Sequence, residues 1–300
     1  MRHRLLIPAV LATTLAVVML VFIGVLSLRH TPDTTAVPSS SPSASASTAP
    51  SASPTPTSSA TTPTTPGATA STAGPSPGRT TPTGPPAVPR SLLGKDVEVI
   101  PTSQPVVALT FDAGSNVDGL PAILQALAGQ KIRATFFLTG SFATRHPSAV
   151  RSIVAAGHRL GNHSATHPYF TQKTDAQIRT ELTEGQRLIL AAGGTDTRPL
   201  FRFPYGDRNA RTIAAVNGAG YGAVRWTVDT LGWKGTSQGI TVQQVIDRTL
   251  GAARAGEIVL MHVGSNPDDH TTLDAQALPA IIAGLRARGY HFVTLDALLG

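Results

Sequence analysis

The chain has 300 residues and a formal net charge of +7, and this charge is unevenly distributed. Residues 1–95 contain six basic residues and one acidic residue, whereas residues 96–300 contain 18 basic and 16 acidic residues and are close to neutral. A nucleic-acid-binding domain needs lysine and arginine clustered on the domain itself, so this class of partner is excluded. The absence of cysteine excludes disulfides, thiolate metal sites and cysteine nucleophiles.

The first thirty residues have the pattern of a membrane-spanning segment. Arg2 and Arg4 precede 24 predominantly apolar residues at 5–28, and Arg29 follows them. A spanning helix needs ~20 apolar residues, whereas the core of a signal peptide usually has ~7–15. We therefore predict a membrane anchor over residues 1–30, with the C-terminal domain outside the cell. A long, cleaved signal peptide is the alternative, and it would export the domain as well.

Residues 31–91 have the composition of a disordered linker. Residues 31–90 contain 27 Ser or Thr and 14 Pro, without any hydrophobic periodicity. Such a segment cannot bury enough apolar surface to offset its ordering entropy. Its span lies between roughly 45 Å as a flexible coil and about 190 Å as extended polyproline, so an anchored domain would reach into a cell wall.

Strand and helix patterns alternate from residue 96 onward, which predicts one domain over residues 96–300. Apolar strand patterns occur at 106–111, 134–138, 158–161, 200–203, 223–228, 258–261 and 292–295. Helical patterns occur near 120–127, 147–156, 175–192, 210–216, 242–253 and 278–288. This alternation predicts an α/β fold, a distorted (β/α) barrel of about seven parallel strands, with an open doubly wound sheet as the alternative.

Unusual polar residues follow the predicted strands where each strand ends. They are Asp112, His163, Arg202, Tyr205, Asp229 and His262. Because the carboxyl ends of parallel strands meet at one edge of the sheet or barrel, we expect these side chains to converge on one pocket.

Two histidines lie four residues apart, at His163 and His167. If the segment turns helically, both imidazoles point the same way and supply two ligands to Zn²⁺. Two structural histidines are the alternative. A metal, a carboxylate base at Asp112 and an acid at His262 together are what hydrolysis of an unactivated amide or ester requires.

Five segments carry a family resemblance. In order, they resemble the motifs of the polysaccharide deacetylases, carbohydrate esterase family four, also called the NodB-homology domain: TFDAG at 110–114, HSATH at 163–167, RFPY at 202–205, DTLGW at 229–233 and LMH at 260–262. Each motif alone is weak, but five in the family's order are specific.

The resemblance implies a role for each matched residue. Asp112 is the implied catalytic base, and Arg202 holds it ionised and oriented. His163 and His167 are the implied ligands of a divalent metal, for which we expect Zn²⁺, with other transition metals as alternatives. His262 is the implied general acid.

Further matched positions are implied to bind substrate, and two positions depart from the family pattern. Tyr205 would offer its backbone N–H to the oxyanion, and Trp233 would form a wall near the acyl methyl group, with core packing as its alternative role. Asp229 would line the site or orient a histidine or an arginine. Where the family has a third metal ligand and an aspartate paired with the acid histidine, this chain has Ala113 and Gly232.

The missing metal ligand has several candidate substitutes in the following loop. Water, Ser115, Asn116 or Asp118 would complete the shell, and Asp118 is the nearest acidic residue after Ala113. The alternative role of Asp118 is the N-cap of the helix that begins near Leu120.

These assignments predict a metal-dependent hydrolase that removes N-acetyl groups from a cell-wall or extracellular polysaccharide, either peptidoglycan or a chitin-like amino sugar. A catalytically weakened wall-binding module is one alternative, and an O-acetyl esterase on a xylan-like polymer is another. The predicted partners are the polysaccharide and the membrane, and the chain is expected to act as a monomer.

Overall fold

A computed structural model describes residues 88–299 of the protein. The predicted anchor over residues 1–30 and nearly all of the predicted linker over residues 31–91 lie outside this range, so both stay predictions. Within residues 88–299, no helix combines the length and the apolar character needed to cross a bilayer.

A single sheet organises the described part of the chain, and every ladder between its named strands is parallel. Its strands are β1 (Asp96–Val97), β2 (Val106–Ala113), β3 (Thr135–Leu138), β4 (Arg159–Asn162), β5 (Leu200–Phe201), β6 (Gly222–Val224), β7 (Val228–Asp229), β8 (Glu257–His262) and β9 (His291–Phe292). The order is β1-β6-β5-β4-β3-β2-β8-β7, and β9 pairs with the first two residues of β2. The predicted α/β class and parallel sheet are therefore confirmed.

The strand predicted over residues 223–228 is two short strands that pair at opposite ends of the sheet. β6 pairs with β5 and β1, whereas β7 pairs with β8. Between them, the N–H of Arg225 donates to Val97 O and the N–H of Thr227 donates to Ile258 O, so the backbone changes partner within three residues. This segment brings the two ends of the sheet together as a distorted, incompletely closed barrel. The nine strands exceed the predicted number of about seven because this segment is split and β1 was not predicted.

Seven α-helices connect the strands in the described range: α1 (Leu120–Gly129), α2 (Gly140–Arg145), α3 (Pro147–Ala155), α4 (Asp175–Ala191), α5 (Ala210–Gly218), α6 (Val242–Ala252) and α7 (Leu273–Ala287). Three of them begin at capping boxes, in which the N-cap side chain and the N3 side chain each bond the other's backbone N–H. The sequence did not predict the six-residue α2, because its Gly140 start resembles a loop.

The two faces of β2 lie in different environments. Val107, Leu109 and Phe111 belong to the large apolar cluster formed with the covering helices. Successive side chains of a strand alternate between its faces, so Thr110 and Asp112 lie on the opposite face. Both are almost fully buried. The strand therefore delivers a carboxylate to the barrel end without exposing its apolar residues.

Glu257 is a buried carboxylic acid at the first residue of β8. Its side chain is fully buried, and neither carboxylate oxygen has a hydrogen-bond partner in the described structure. Burial raises the pKa of Glu257 to about 7, against the opposing effect of Arg254 and Arg288. The native state therefore holds a proton that the unfolded chain releases near pH 4.5.

We predict that Glu257 makes the protein less stable as the pH rises from about 4.5 to about 7. The native state binds more protons than the unfolded state in this window, so the Glu257 contribution to the free energy of unfolding falls by up to about 3 kcal/mol. Chemical denaturation of the wild type and Glu257→Gln across this range measures the difference.

Glu184→Gln is the control. Glu184 is exposed, and its pKa is lowered by its bond with Arg187, so this change leaves the slope between pH 5 and 7 unaltered. Parallel stability curves for the wild type and Glu257→Gln would contradict the prediction.

Candidate active site

A buried ion pair between Asp112 and Arg202 forms the centre of the site. Arg202 Nη1 donates to Asp112 Oδ1 at 2.8 Å. Arg202 is completely buried and Asp112 is 6% exposed. Burial opposes ionisation of the carboxyl, but nearby positive charge, Arg202 above all, outweighs it, and the pKa of Asp112 lies below its ordinary value. Asp112 is therefore an ionised carboxylate, the form that a general base needs.

The rest of the Arg202 guanidinium is also satisfied. Nη1 donates to the Thr110 hydroxyl at 2.9 Å, Nη2 to Arg225 O at 2.9 Å and Nε to Val224 O at 3.3 Å. The guanidinium carbon lies 4.2 Å from the ring centroid of Phe137. These contacts fix the guanidinium, and with it the orientation of the Asp112 carboxylate.

His163 and His167 lie together beside this ion pair, but the segment between them is not helical. Their ring centroids are 4.8 Å apart. Ser164 and His167 have positive φ angles of 71° and 64°, which turn the backbone sharply. The predicted proximity of the rings is thus present, whereas the helical turn proposed to cause it is wrong.

Two side chains outside the motif hold the histidine loop. Glu181 on α4 accepts from the N–H groups of Ala165 and Thr166, both at 2.9 Å, and from the Thr166 hydroxyl at 2.7 Å. Asn162, fully buried at the end of β4, accepts from the Ser164 N–H at 2.8 Å. These bonds replace the hydrogen bonds that a helix would have supplied to the loop backbone.

The two imidazoles have the chemistry of metal ligands. Burial lowers the pKa of His163, and burial together with His163 lowers the pKa of His167 to about 4, so both rings are neutral at pH 7. His163 Nδ1 donates a hydrogen bond to Arg202 O at 2.8 Å. Nε2 is therefore unprotonated, and its lone pair can ligate a metal. Asp112 Oδ2 lies 3.4 Å from that nitrogen. The imidazoles of His163 and His167 thus fit two coordination positions of Zn²⁺.

A third protein ligand is not placed beside these histidines. Within residues 88–299, no group of three or more His, Asp or Glu side chains is arranged to hold a metal ion. Catalytic zinc sites usually have three protein ligands and one water. Ala113, at the matching position, is fully buried among apolar residues.

The side chain of Asp118 bonds a neighbouring loop. Its Oδ2 accepts from the Ser265 hydroxyl at 2.6 Å, and Asn116 Oδ1 accepts from the N–H groups of Asp118 and Ser265. The N-cap of α1 is Gly119, without a side-chain hydrogen bond. The predicted cap role is therefore wrong, and the carboxylate of Asp118 ties the loop after β2 to the loop after β8.

His262 ends β8 directly beside Asp112, since the two residues are register partners. Its carboxylate neighbour is Asp274, in the first turn of α7. Asp274 Oδ2 accepts from the His262 N–H at 2.8 Å and lies 3.7 Å from His262 Nδ1.

Asp274 also accounts for the departure from the family pattern at Gly232. A Cβ on Gly232 would lie 2.6 Å from Asp274 Cγ and closer still to Oδ1. The Asp274 carboxylate thus occupies the space that a side chain at position 232 would need.

Asp229 positions the Trp233 loop rather than a histidine or an arginine. Its carboxylate accepts from the Leu231 N–H at 2.9 Å and from Trp233 Nε1 at 3.4 Å. Arg248 reaches only the carbonyl oxygen of Asp229. Trp233 is 42% exposed, so the alternative of core packing is wrong, and its ring centroid lies 6.3 Å from that of His262.

Tyr205 lies on the other side of the pocket. Its backbone φ is 58°. Its ring packs edge-on against the His167 ring, with 4.4 Å between the ring centroids, and stacks on the Tyr169 ring, with 4.2 Å between the centroids. Tyr169 is 47% exposed and Tyr205 is 59% exposed. The site therefore has exposed aromatic rings on two sides of the Asp112 carboxylate.

Backbone strain is concentrated in this site. Six non-glycine residues have positive φ angles in residues 88–299, and four of them lie in the site loops, at Ser164, His167, Tyr205 and Leu231. Such conformations cost of order 1–3 kcal/mol each and persist only where surrounding contacts impose them.

Sequence reasoning missed three residues that support the site: Asn162, Glu181 and Asp274. Asn162 directly precedes His163 at a strand end, so its position was a usable signal. Glu181 lies on a helix 15 and 16 residues after the groups that it contacts, and Asp274 lies on a helix 12 residues after His262. Nothing in the local pattern distinguishes them from ordinary helix carboxylates.

Comparison with known sequences identifies a family for this fold and site. The polysaccharide deacetylase family model matches residues 100–224. The chain is 31% identical over 198 residues to a peptidoglycan-N-acetylglucosamine deacetylase of Bacillus cereus, an alignment covering 66% of this chain and 70% of that protein. It is 33% identical over 196 residues to a chitooligosaccharide deacetylase of Sinorhizobium fredii, covering 63% of this chain and 89% of that protein.

A solved structure supports the same assignment. A pseudoenzyme of carbohydrate esterase family four from Bacillus anthracis, in a mutant form with restored enzymatic activity, is similar with a TM-score of 0.59 and 31% identity. The similarity covers 66% of this chain and 68% of that one. The chain therefore belongs to the polysaccharide deacetylases, carbohydrate esterase family four, and the resemblance inferred from its motifs is confirmed.

Proposed function

We propose that the protein is a metal-dependent deacetylase that hydrolyses the N-acetyl groups of a wall polysaccharide, with peptidoglycan N-acetylglucosamine as the favoured substrate. The observation that carries the proposal is the pairing of an ionised carboxylate with a histidine on adjacent strand ends. Asp112 and His262 are register partners on β2 and β8. Adjacent strands are about 4.8 Å apart, so a base and an acid face one substrate group from neighbouring positions.

The base side of the reaction belongs to Asp112. Its carboxylate takes a proton from the attacking water, whose oxygen adds to the acetyl carbonyl carbon. Arg202 keeps the carboxylate ionised and occupies Oδ1, so Oδ2 is the oxygen that accepts the proton. The backbone N–H of Tyr205, assigned by the family motif, would donate to the oxyanion that forms.

The acid side belongs to His262. Several carboxylates lie near this imidazole, and although burial opposes protonation, the neighbouring Asp274 carboxylate and the charges of Asp112 and Asp229 raise the pKa of His262. A protonated His262 donates its proton to the leaving nitrogen as the carbon–nitrogen bond breaks. Acetate and a free amine are the products.

His163 and His167 would hold the cation, which we propose to be Zn²⁺. When bound, such an ion polarises the acyl carbonyl and its water. With only two protein ligands placed for it, we expect weaker retention of the ion than in a site with three.

Exposed aromatic rings support a glycan substrate. Tyr169 and Tyr205 form a stacked pair on one side of the pocket, and Trp233 lies beside His262 on the other. Tyrosine and tryptophan offer an apolar face together with a polar edge, which suits the mixed surface of a sugar ring. An extended chain of sugars would contact both sides while one acetyl group occupies the centre.

Two other functions remain distinct candidates. A wall-binding module with weak or no activity is favoured by the buried Ala113 and by the two-histidine donor set. An O-acetyl esterase is favoured by the chemistry itself, because the same base and acid cleave an ester. Substrate comparison separates all three.

We predict that the zinc-loaded protein releases acetate from N-acetylglucosamine oligomers and peptidoglycan faster than from acetylated xylan. Asp112→Asn keeps the shape of the side chain but removes the base, so acetate release should fall by ~10²-fold or more. Zinc binding should persist in this variant. Acetate assays and metal analysis of the same samples provide the measurement.

Asp175→Asn is the matched control, because Asp175 is an exposed aspartate that pairs only with Arg211 among charged groups. It should leave the rate unchanged. Full activity in Asp112→Asn would refute the assignment of the base. Binding of peptidoglycan without acetate release would favour the wall-binding module, and a preference for acetylated xylan would favour the esterase.

We predict that Ala113→Asp tightens zinc binding by about tenfold or more, because a carboxylate here supplies the third protein ligand. In the absence of metal, a carboxylate buried at this apolar position should lower the melting temperature. Zinc should restore it, since binding to the native state stabilises that state. Calorimetric titration and melting curves measure both effects, and a variant destabilised equally with and without zinc would remove position 113 from the metal shell.

We also propose that residues 1–30 anchor the chain in the membrane and that the folded domain acts outside the cell. The long apolar run after Arg2 and Arg4 supports this proposal. The protein should fractionate with membranes, and its C-terminal domain should be cleaved by protease added outside spheroplasts. Protein found only in the medium, with its N-terminus near His30, would instead show that the leader is removed.

A further inference from the structure

The His262 imidazole has a buried nitrogen in need of a partner. Its Nδ1 is buried and makes no hydrogen bond in the described structure, and the nearest carboxylate oxygen is Asp274 Oδ2 at 3.7 Å. The same Oδ2 accepts from the His262 N–H at 2.8 Å. The backbone bond therefore fixes the carboxylate beside the ring.

Asp274 is itself held from the opposite side. It is 3% exposed, and the Thr230 hydroxyl, fully buried, donates to Oδ1 at 2.6 Å. A buried aspartate is costly unless its oxygens are bonded, and these two bonds use one oxygen each. Both bonds come from the strand ends that form the pocket, so the start of α7 is tied to the site.

The glycine at position 232 makes this arrangement possible. Any Cβ there would overlap the carboxylate of Asp274. Gly232 lies in the short helical turn Gly232–Lys234, which also carries Trp233. A side chain at position 232 and the Asp274 carboxylate in its observed place are thus mutually exclusive.

We propose that Asp274 is the positioning residue for His262, and that the carboxylate on α7 orients the imidazole through Nδ1 so that Nε2 faces the leaving group. The proposal rests on the proposed function, in which His262 is the acid. It adds a residue outside all five motifs. It also assigns a role to Gly232, which is to leave room for that carboxylate.

The first test compares Asp274→Asn with the wild type. Loss of the negative charge should lower kcat about tenfold or more while KM changes less than twofold, because the substrate does not touch Asp274. The charged groups around the imidazole are Asp112 on β2, Asp229 on β7 and Asp274 on α7. With the Asp274 charge removed, the pKa of His262 should fall. NMR titration of the metal-free protein measures this pKa, and the signal that is missing in His262→Gln identifies the His262 resonance.

The second test moves the carboxylate. Gly232→Asp alone should destabilise the protein, because its side chain collides with Asp274. Combined with Asp274→Ala, the same change places a carboxylate into the vacated space, and kcat and the His262 pKa should recover relative to Asp274→Ala. Asp247→Asn is the control, since Asp247 is exposed on α6 and bonds only Gln243. It should change nothing.

The outcomes separate this proposal from the proposed function. Unchanged kcat and unchanged His262 pKa in Asp274→Asn would overturn the role of Asp274. If the wild type released no acetate from any glycan, the proposed function would fail, and the NMR titration would still decide the role of Asp274. If the single variants did not fold, the double variant would decide: a His262 pKa above 6.5 supports the proposal, and a lower one overturns it.

Discussion

The site depends on one buried cation, the guanidinium of Arg202. It bonds the Asp112 carboxylate, the Thr110 hydroxyl and two carbonyl oxygens at the end of β6, while the carbonyl oxygen of Arg202 itself accepts from His163. A buried ion pair stabilises a fold only when its remaining donors are satisfied, because desolvation of the two charges is costly. Arg202 meets this condition with backbone groups that the barrel brings to one place. The Asp112 carboxylate, His163 and the barrel end are therefore coupled through a single residue.

The loops around Arg202 carry strain that the frame of helices compensates. Positive φ angles at Ser164, His167 and Tyr205 turn the backbone so that imidazole and aromatic rings meet over the pocket. The bonds from Glu181 to the histidine loop offset this cost by giving its N–H groups a charged acceptor. The long helix α4 thus affects the site without lining the pocket, because its Glu181 fixes the position of the histidine loop.

Much of this arrangement could be predicted from sequence because it follows periodic patterns. The apolar run at 106–111 and its terminal Asp112 predicted a buried strand with a polar end, and the observed β2 agrees. Other features arise from contacts between distant segments, and no local pattern carries them. The segment 223–228 reads as one strand, yet it changes partner at Arg225 and Thr227. The bond between Asp118 and Ser265 joins residues 147 positions apart, so no local pattern could have revealed it.

The two departures from the family pattern differ physically. At Gly232 the missing side chain is matched by a carboxylate from α7 that occupies the same space, so the charge beside His262 is kept although the residue number has changed. At Ala113 the small side chain is sealed among apolar residues, and no third acidic or imidazole donor joins His163 and His167 within residues 88–299. Acid–base chemistry depends on charge at a point in space, which a distant helix can supply. A metal shell depends on several donors at fixed distances, which one distant substitution rarely completes. In the proposed deacetylase the proton-transfer groups are therefore complete, and retention of the proposed cation is the property on which its catalytic rate would depend most.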